Sequence, residues 1–277
     1  MKVAFKTTFL VIVIFQFFSC DNSKKGIALK TEVHKNSDKE LKNVENDVVT
    51  DEFSFPDDNA LPVKIIRLET FHSDEIEESY SKKVWFGLFK NKGNYSLSET
   101  KVFFKRVNDP VIDETDEEKT GWEVSTHLKD SCLILIEKLP YLIDGNVSSV
   151  KIPESIYPEE SFKFIYKDVE YTLFATGKKK KEQADSDWIL VSDYKLYLKK
   201  VVDSKESTEL LIAKKNFDDQ MIKVIFAGDL DGDNKLDLII DTASHYNVSS
   251  PTLYLSEPAA KEEKIIKPVG VFTTVGC

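Results

Sequence analysis

The sequence lacks the short motifs by which many enzymes are identified. It has no Gly-x-Ser-x-Gly nucleophile elbow, no His-Glu-x-x-His zinc motif and no glycine-rich phosphate loop. Only four histidines are present, and one of them, His34, falls in a polar N-terminal stretch. These absences exclude the enzyme classes that depend on such motifs, and no catalytic residue is assigned.

Basic residues are also a minority. Lys and Arg number 38 against 48 Asp and Glu, which gives a net charge of -10. Because nucleic-acid phosphates are bound by a basic surface, nucleic acid is not an expected partner. Two local charge runs, residues 109–119 and 178–181, are typical of solvated loops.

Helical periodicity is scarce as well, with residues 74–82 as the best short candidate. Most apolar residues after residue 60 instead alternate with polar ones, as in half-buried strands. Residues 162–166 and 169–173 show this alternation on either side of Lys167-Asp168, which is a hairpin pattern. The sequence therefore predicts a mainly β fold of antiparallel, sandwich-like sheets with little helix.

Composition divides the chain into four segments. They are a signal peptide (residues 1–19), a flexible tether (20–60), an N-terminal β unit (61–150) and a C-terminal β unit (151–277). The tether is rich in Lys, Asp, Glu, Asn and Ser, so it cannot bury enough apolar surface to offset its ordering entropy. The boundary between the β units rests on Pro153, Pro158 and the turn residues before them. One continuous sandwich is the alternative.

The first twenty residues carry an export signal. A positively charged start is followed by an apolar stretch, residues 7–18, that is too short for a stable membrane-spanning helix. It ends in Ser19-Cys20, and this order resembles the lipobox of bacterial lipoproteins, with Phe17 and Phe18 in place of the usual residues. The resemblance implies an acylated Cys20 that anchors the protein in the bacterial cell envelope, on the periplasmic or surface side of the outer membrane. The alternative is an ordinary secretory peptide in which Cys20 is incidental.

The cysteines allow one disulfide. If Cys20 is lipidated, Cys132 and Cys277 remain as an even pair in an oxidising compartment. A bridge between them would hold the last residue of the chain against the folded body, where a free terminus would otherwise fray. The alternative is two unpaired thiols, with Cys132 buried among its apolar neighbours.

One loop carries a specific chemical pattern. Acidic side chains stand at Asp229, Asp231, Asp233 and Asp237, with a single residue between the first three. Calcium takes about six to eight oxygen ligands, and carboxylates at alternate positions can converge on one ion. The backbone carbonyl of Lys235 would add a further ligand. The sequence therefore predicts a Ca2+ site, and an acidic turn without an ion is the alternative.

The spacing of this loop resembles the calcium loops of EF-hands, dockerins and, most closely, the FG-GAP repeats of integrin-type propellers. Two positions differ, because Asn234 replaces the usual glycine and Ile240 replaces the bidentate Glu of an EF-hand. Asn adopts a left-handed backbone more readily than most other residues, so the turn is expected to survive. The alternation of apolar residues after Asp237 indicates a strand. A propeller needs several blades, and this sequence has one copy of the repeat, so we expect a single loop between two strands.

A polar segment, residues 241–247, follows the loop and includes Ser244 and His245. We interpret it as a structural turn, because catalytic triads assemble from distant segments. The mature chain resembles uncharacterised Gram-negative envelope proteins that end in a single FG-GAP-like loop, a His-Tyr-Asn segment and a terminal Gly-Cys, and this resemblance implies no activity. We expect a non-enzymatic envelope lipoprotein whose calcium-stabilised β fold binds a protein or glycan ligand. The alternative is a calcium-dependent surface hydrolase acting on glycan or peptide.

Overall fold

The structure is a computed structural model that describes residues 54–128, 131–182 and 189–276. Strands make up 53% of it and helices 6%, and the strands pair in antiparallel sheets. The prediction of a mainly antiparallel β fold with little helix is therefore confirmed. The signal peptide, most of the tether, Cys20 and Cys277 lie outside the described residues.

Eighteen strands occur in the described part of the chain: β1 (Ile65–Ile66), β2 (Thr70–Phe71), β3 (Trp85–Asn91), β4 (Asn94–Thr100), β5 (Val102–Val107), β6 (Gly121–Thr126), β7 (Cys132–Glu137), β8 (Gly145–Val147), β9 (Ser161–Tyr166), β10 (Val169–Lys181), β11 (Ile189–Val202), β12 (Lys205–Asn216), β13 (Lys223–Gly228), β14 (Asp237–Asp241), β15 (Val248–Ser249), β16 (Pro251–Leu255), β17 (Lys267–Val271) and β18 (Thr274–Val275). One short α-helix, α1 (Glu257–Ala260), follows β16, and 3-10 turns lie at Asp58–Ala60 and Glu78–Lys82. The predicted helical stretch, residues 74–82, therefore holds only a short 3-10 turn.

The strands form three larger sheets and two small ones. The central sheet has the strand order β13-β14-β16-β17, the five-stranded sheet β1-β7-β3-β4-β8, and the long-hairpin sheet β12-β11-β10-β9. The small sheets are β2-β6-β5 and β15-β18. The predicted hairpin around Lys167-Asp168 is present as β9 and β10, and both turn residues have a positive φ.

The central sheet is covered on both faces. Along β14, Leu238 and Ile240 pack in a first core with side chains of the long-hairpin sheet. Between them, Ile239 packs in a second core with side chains of the five-stranded sheet. Because successive side chains of a strand point to opposite faces, a strand buried on both faces becomes an uninterrupted apolar run.

A third core covers the other face of the five-stranded sheet. Ile66, Trp85 and Leu135 pack there with Phe71 and Trp122 of the three-stranded sheet β2-β6-β5. The fold is therefore layered, in the order long-hairpin sheet, central sheet, five-stranded sheet and three-stranded sheet.

The arrangement of the sheets is relevant to the boundary between two β units that the sequence suggests near residue 150. The five-stranded sheet lies in residues 65–147, and the central sheet lies in residues 223–271. These two sheets share the second core, to which Phe86 contributes from one side and Phe226 from the other. The second core thus contains side chains from both sides of this boundary, and the division into two β units stays a prediction.

Neither of the two charge runs is a simple solvated loop. Residues 178–181 belong to β10, where the pairing with β11 continues from Lys178 to Lys181, so the prediction of a loop is wrong for this run. The β10–β11 hairpin extends beyond its apolar part, so these lysines take part in strand pairing. Residues 109–119 do lie between strands, but Asp109 is buried, with 2% of its surface exposed.

Gly228 ends β13 and lets a neighbouring segment approach the backbone. A Cβ atom at this position would lie 2.1 Å from the carbonyl oxygen of Ser148. The backbone N–H of Asp229 donates to that same oxygen at 3.0 Å, and the N–H of Val150 donates to the Ala227 carbonyl at 3.0 Å. Only glycine fits so close an approach, which fixes where the loop after β13 begins.

We expect Ile239→Ala to destabilise the protein strongly, because Ile239 is fully buried where two sheets meet. A truncation of this kind removes apolar contacts and leaves a cavity, at about 2–5 kcal/mol of unfolding free energy. Ile165→Ala is the matched control, since Ile165 is 69% exposed on a strand, and its effect should stay within about 0.5 kcal/mol. Urea unfolding of both variants tests the layer order, and equal effects would contradict it.

Candidate metal centre

The loop with the predicted calcium ligands connects β13 to β14 in the central sheet. Gly228 pairs with Asp237 across the base of this hairpin. Two loop residues have a left-handed backbone, Gly232 with φ of 79° and Asn234 with φ of 63°. The expectation that Asn234 adopts this conformation in place of glycine is confirmed.

Three of the predicted ligands come together. Carboxylate oxygens of Asp229, Asp231 and Asp237 all lie within 4.8 Å of one another, an arrangement that could hold a metal ion. Asp237 is fully buried and Asp231 is 6% exposed. The cluster is therefore a largely enclosed group of oxygen ligands at the end of the central sheet.

Asp237 is held in place by three backbone donors. Its Oδ2 accepts hydrogen bonds from the N–H of Leu230 at 2.6 Å and of Asp231 at 3.2 Å. Its Oδ1 accepts from the N–H of Ser256 at 2.8 Å. These bonds fix the carboxylate at the first residue of β14 and join the loop to the end of β16.

The other two carboxylates of the cluster shape the loop itself. Asp229 accepts from the N–H of Gly232 at 2.7 Å and of Asn234 at 3.1 Å. Asp231 accepts from the N–H of Asp233 at 3.3 Å and of Glu257 at 3.1 Å. Each carboxylate thus retains lone pairs that can bind a cation while it orients the backbone around the site.

Asp233 and Lys235, the remaining predicted ligands, interact with each other. The Lys235 ammonium donates to Asp233 Oδ2 at 2.7 Å, and the Lys235 N–H donates to Asp233 Oδ1 at 2.8 Å. Ser256 Oγ also donates to Asp233 Oδ1, at 3.0 Å. Asp233 therefore lies outside the three-carboxylate cluster in this structure, and its ligation, like that of the Lys235 carbonyl, stays a prediction.

The electrostatics of the cluster favour a counter-charge. Burial raises the pKa of Asp237 well above its usual range, and repulsion from Asp231 adds to this. Burial likewise raises the pKa of Asp231, with repulsion from Asp233 and Asp229. Burial alone would raise the pKa of Asp233 too, but hydrogen bonds from Lys235 and Ser256 outweigh it and lower that pKa. A divalent cation would stabilise the ionised cluster.

Sequence reasoning missed the segment that completes the site, Ser256–Glu257. It lies about twenty residues after Asp237, and both backbone N–H groups donate to cluster carboxylates. Glu257 Oε2 is buried and has no hydrogen-bond partner among the described residues. A buried carboxylate oxygen without a donor is unfavourable unless a cation or a water meets it. The available signal was a polar Ser-Glu pair directly after a mostly apolar strand.

The polar turn after β14 does not bring its Ser, His and Asp side chains together as a catalytic triad. Asp241 forms an ion pair with Arg67 at 2.8 Å and accepts from the N–H groups of Ala243 and Ser250. His245 instead contacts Asp218, with 3.0 Å between Nε2 and Oδ2, and both side chains are largely exposed. The interpretation of residues 241–247 as a structural turn agrees with these contacts.

Another histidine forms a more protected pair that the sequence did not indicate. His72 Nδ1 lies 2.6 Å from Asp109 Oδ2, and Asp109 is almost fully buried. This hydrogen bond raises the pKa of His72 above its usual value. The two residues are 37 positions apart, so no local spacing could have revealed the contact.

Cys132 lies on β7 and forms no disulfide with another described residue. In its thiol form, burial raises its pKa to about 12, so it would be unreactive at neutral pH. Because Cys277 lies outside the described residues, the disulfide between these two residues stays a prediction.

Comparison of the chain with models of known protein families, with curated proteins and with solved structures finds no match in any of the three. In the described residues, no helix has the length and apolar character needed to cross a membrane.

The His72–Asp109 pair predicts a pH dependence of stability. Because the pKa of His72 is raised in the folded state, its contribution is fully present below the unfolded value of about 6.5 and is lost as pH rises through the folded value. The unfolding free energy should therefore fall over this window, and His72→Gln should remove that fall. Urea unfolding from pH 6 upward measures it, with His127→Gln as control. An unchanged slope in His72→Gln would contradict the assignment.

Proposed function

We propose that this protein is a lipid-anchored, calcium-stabilised β protein of the bacterial cell envelope that acts as a non-enzymatic binding module. The convergence of the Asp229, Asp231 and Asp237 carboxylates within 4.8 Å is the observation that carries the metal part of the proposal. The anchor and the location rest on the order of charged start, apolar stretch and Ser19-Cys20 in the sequence.

Calcium is favoured over other metals by the chemistry of the donors. The cluster offers carboxylate oxygens only, and hard cations prefer such ligands, whereas zinc and copper sites are usually built from histidine and cysteine. The loop spacing also resembles FG-GAP calcium loops. With the bidentate Glu of an EF-hand absent, we expect an affinity of about 0.1–1 mM, as in extracellular modules.

A structural role is favoured over a catalytic one. The cluster residues are enclosed, and their hydrogen bonds join the β13–β14 loop to Ser256 and Glu257. A cation there would join the β13–β14 loop to the segment after β16 at one end of the central sheet. The alternative, a hydrolase, would need a protected His245 beside a carboxylate, and the exposed contact of His245 with Asp218 gives it no support.

Calcium should stabilise the protein measurably. At a concentration 100-fold above the dissociation constant, we expect a gain of about 2.7 kcal/mol in unfolding free energy relative to the protein in chelator. Asp229→Asn should weaken calcium binding by about tenfold or more, because it removes one of three charged ligands. Thermal unfolding with and without calcium, together with isothermal titration, measures both effects.

Asp219→Asn provides the matched control. Asp219 is an exposed residue with a left-handed backbone that Asn also adopts. It precedes β13, at the opposite end of this strand from the metal loop, so the change removes the same charge far from the cluster. Its calcium response should equal that of the unmodified protein. If calcium produced neither heat nor stabilisation, or if Asp219→Asn had the same effect as Asp229→Asn, the metal proposal would fail.

The lipid anchor can be tested separately from the metal. Expressed with its signal in a Gram-negative host, the protein should partition into the detergent phase and carry an acylated Cys20 by mass spectrometry. Cys20→Ser should move it to the aqueous phase, whereas Cys132→Ser should leave partitioning unchanged. An unmodified mature N-terminus downstream of Cys20 would refute the anchor.

A further inference from the structure

A cavity of about 500 Å³ lies where three segments of the chain meet, and none of the metal-centre aspartates lines it. One wall comes from β2 and the loop after it, the second from the loop after β5, and the third from the small sheet β15-β18. This volume is within the range of roughly 300–1,000 Å³ that small-molecule sites occupy.

Polar contacts fix the three walls relative to one another. His72 Nδ1 lies 2.6 Å from Asp109 Oδ2, which joins the first wall to the second. Glu75 joins the first wall to the third, because its Oε1 accepts from the N–H of Val275 at 2.8 Å. Its Oε2 accepts from the N–H of His72 at 2.9 Å. The cavity is therefore preformed, which lowers the ordering cost of binding.

Apolar side chains line this cavity although it opens to solvent. Phe71 is buried beside it, while Val111, Tyr246 and Val275 are 59%, 63% and 52% exposed. Exposed apolar side chains scattered singly need no explanation, but several around one concave site mark a ligand surface. The apolar part of a ligand would therefore find contacts on the second wall, at Val111, and on the third, at Tyr246 and Val275.

The charge of the lining selects among ligands. The lining contains three acidic residues, Glu69, Glu75 and Asp109, and one ionisable base, His72. Its net charge is therefore negative even when His72 is protonated. No Lys or Arg is found among the described residues of the lining. Carboxylate and phosphate ligands would be repelled, whereas an ammonium or guanidinium group would be attracted, and the exposed ring of Tyr246 can add a cation–π contact.

We propose that this cavity binds a small organic cation that carries an apolar body. The ammonium or guanidinium group lies near Glu69 and Glu75, and the apolar body packs on Phe71, Val111 and Tyr246. The inference rests on the proposed binding function, for which it names a site and a ligand class, but it does not depend on the metal.

Three probes of similar shape test the charge preference on the full chain at saturating calcium. They are benzylamine as the cation, benzyl alcohol as the neutral analogue and benzoate as the anion. We expect saturable binding of benzylamine in backbone amide NMR titrations, at least about threefold tighter than benzyl alcohol, with benzoate weakest. The largest shifts should fall on Tyr246, Val248 and Val275.

Glu69→Gln is the decisive variant, because the Glu69 carboxylate makes no hydrogen bond with the described residues and its loss should leave the walls intact. It should weaken benzylamine binding by about threefold or more without changing the binding of benzyl alcohol. Glu117→Gln is the matched control, since it removes an exposed carboxylate from the loop after β5 that does not line the cavity.

Several outcomes would overturn this inference. They are no saturable binding of benzylamine, equal or tighter binding of benzyl alcohol or benzoate, and equal effects of Glu69→Gln and Glu117→Gln. Calcium-dependent stabilisation is measured on the same samples, so a failure of amine binding is distinguishable from a failure of the metal centre.

Discussion

Burial of both faces of the central sheet is the constraint on which the rest of the structure depends. A four-stranded sheet whose inner strands are wholly buried needs a covering layer on each side. The long-hairpin sheet supplies one layer and the five-stranded sheet the other. Apolar burial contributes about 25 cal/mol per Å², so these two interfaces hold together parts of the chain that are far apart in sequence.

The candidate metal centre depends on the same arrangement. Asp237 is the first residue of β14, and the strand carries its carboxylate to the buried end of the sheet. A carboxylate in such a place needs several donors or a counter-charge. Three backbone N–H groups supply part of this need, and a cation shared with Asp229 and Asp231 supplies the rest in the proposed function.

The sequence was informative where a signal is local. The alternation of apolar and polar residues predicted the hairpin at Lys167-Asp168, and the spacing of the acidic residues predicted the loop that begins at Asp229. The sequence did not predict β4, because Asn94–Thr100 is mostly polar and only Leu97 in it is buried. It also failed for Ser256–Glu257 and for the His72–Asp109 pair, because only tertiary packing brings these residues to their partners. Pairings between distant strands leave no trace in one sequence, so the layer order could not be derived.

The contacts that join the two ends of the described chain have a consequence for folding. Arg67 pairs with Asp241 over 174 residues, and Glu75 accepts from Val275 over 200. Contacts between distant residues slow folding, because the loop entropy is lost before the contact forms. A chain growing from its N-terminus would display the uncovered face of the five-stranded sheet until β13 to β17 were made. Its dependence on chaperones would therefore be greatest just before β13 to β17 are synthesised.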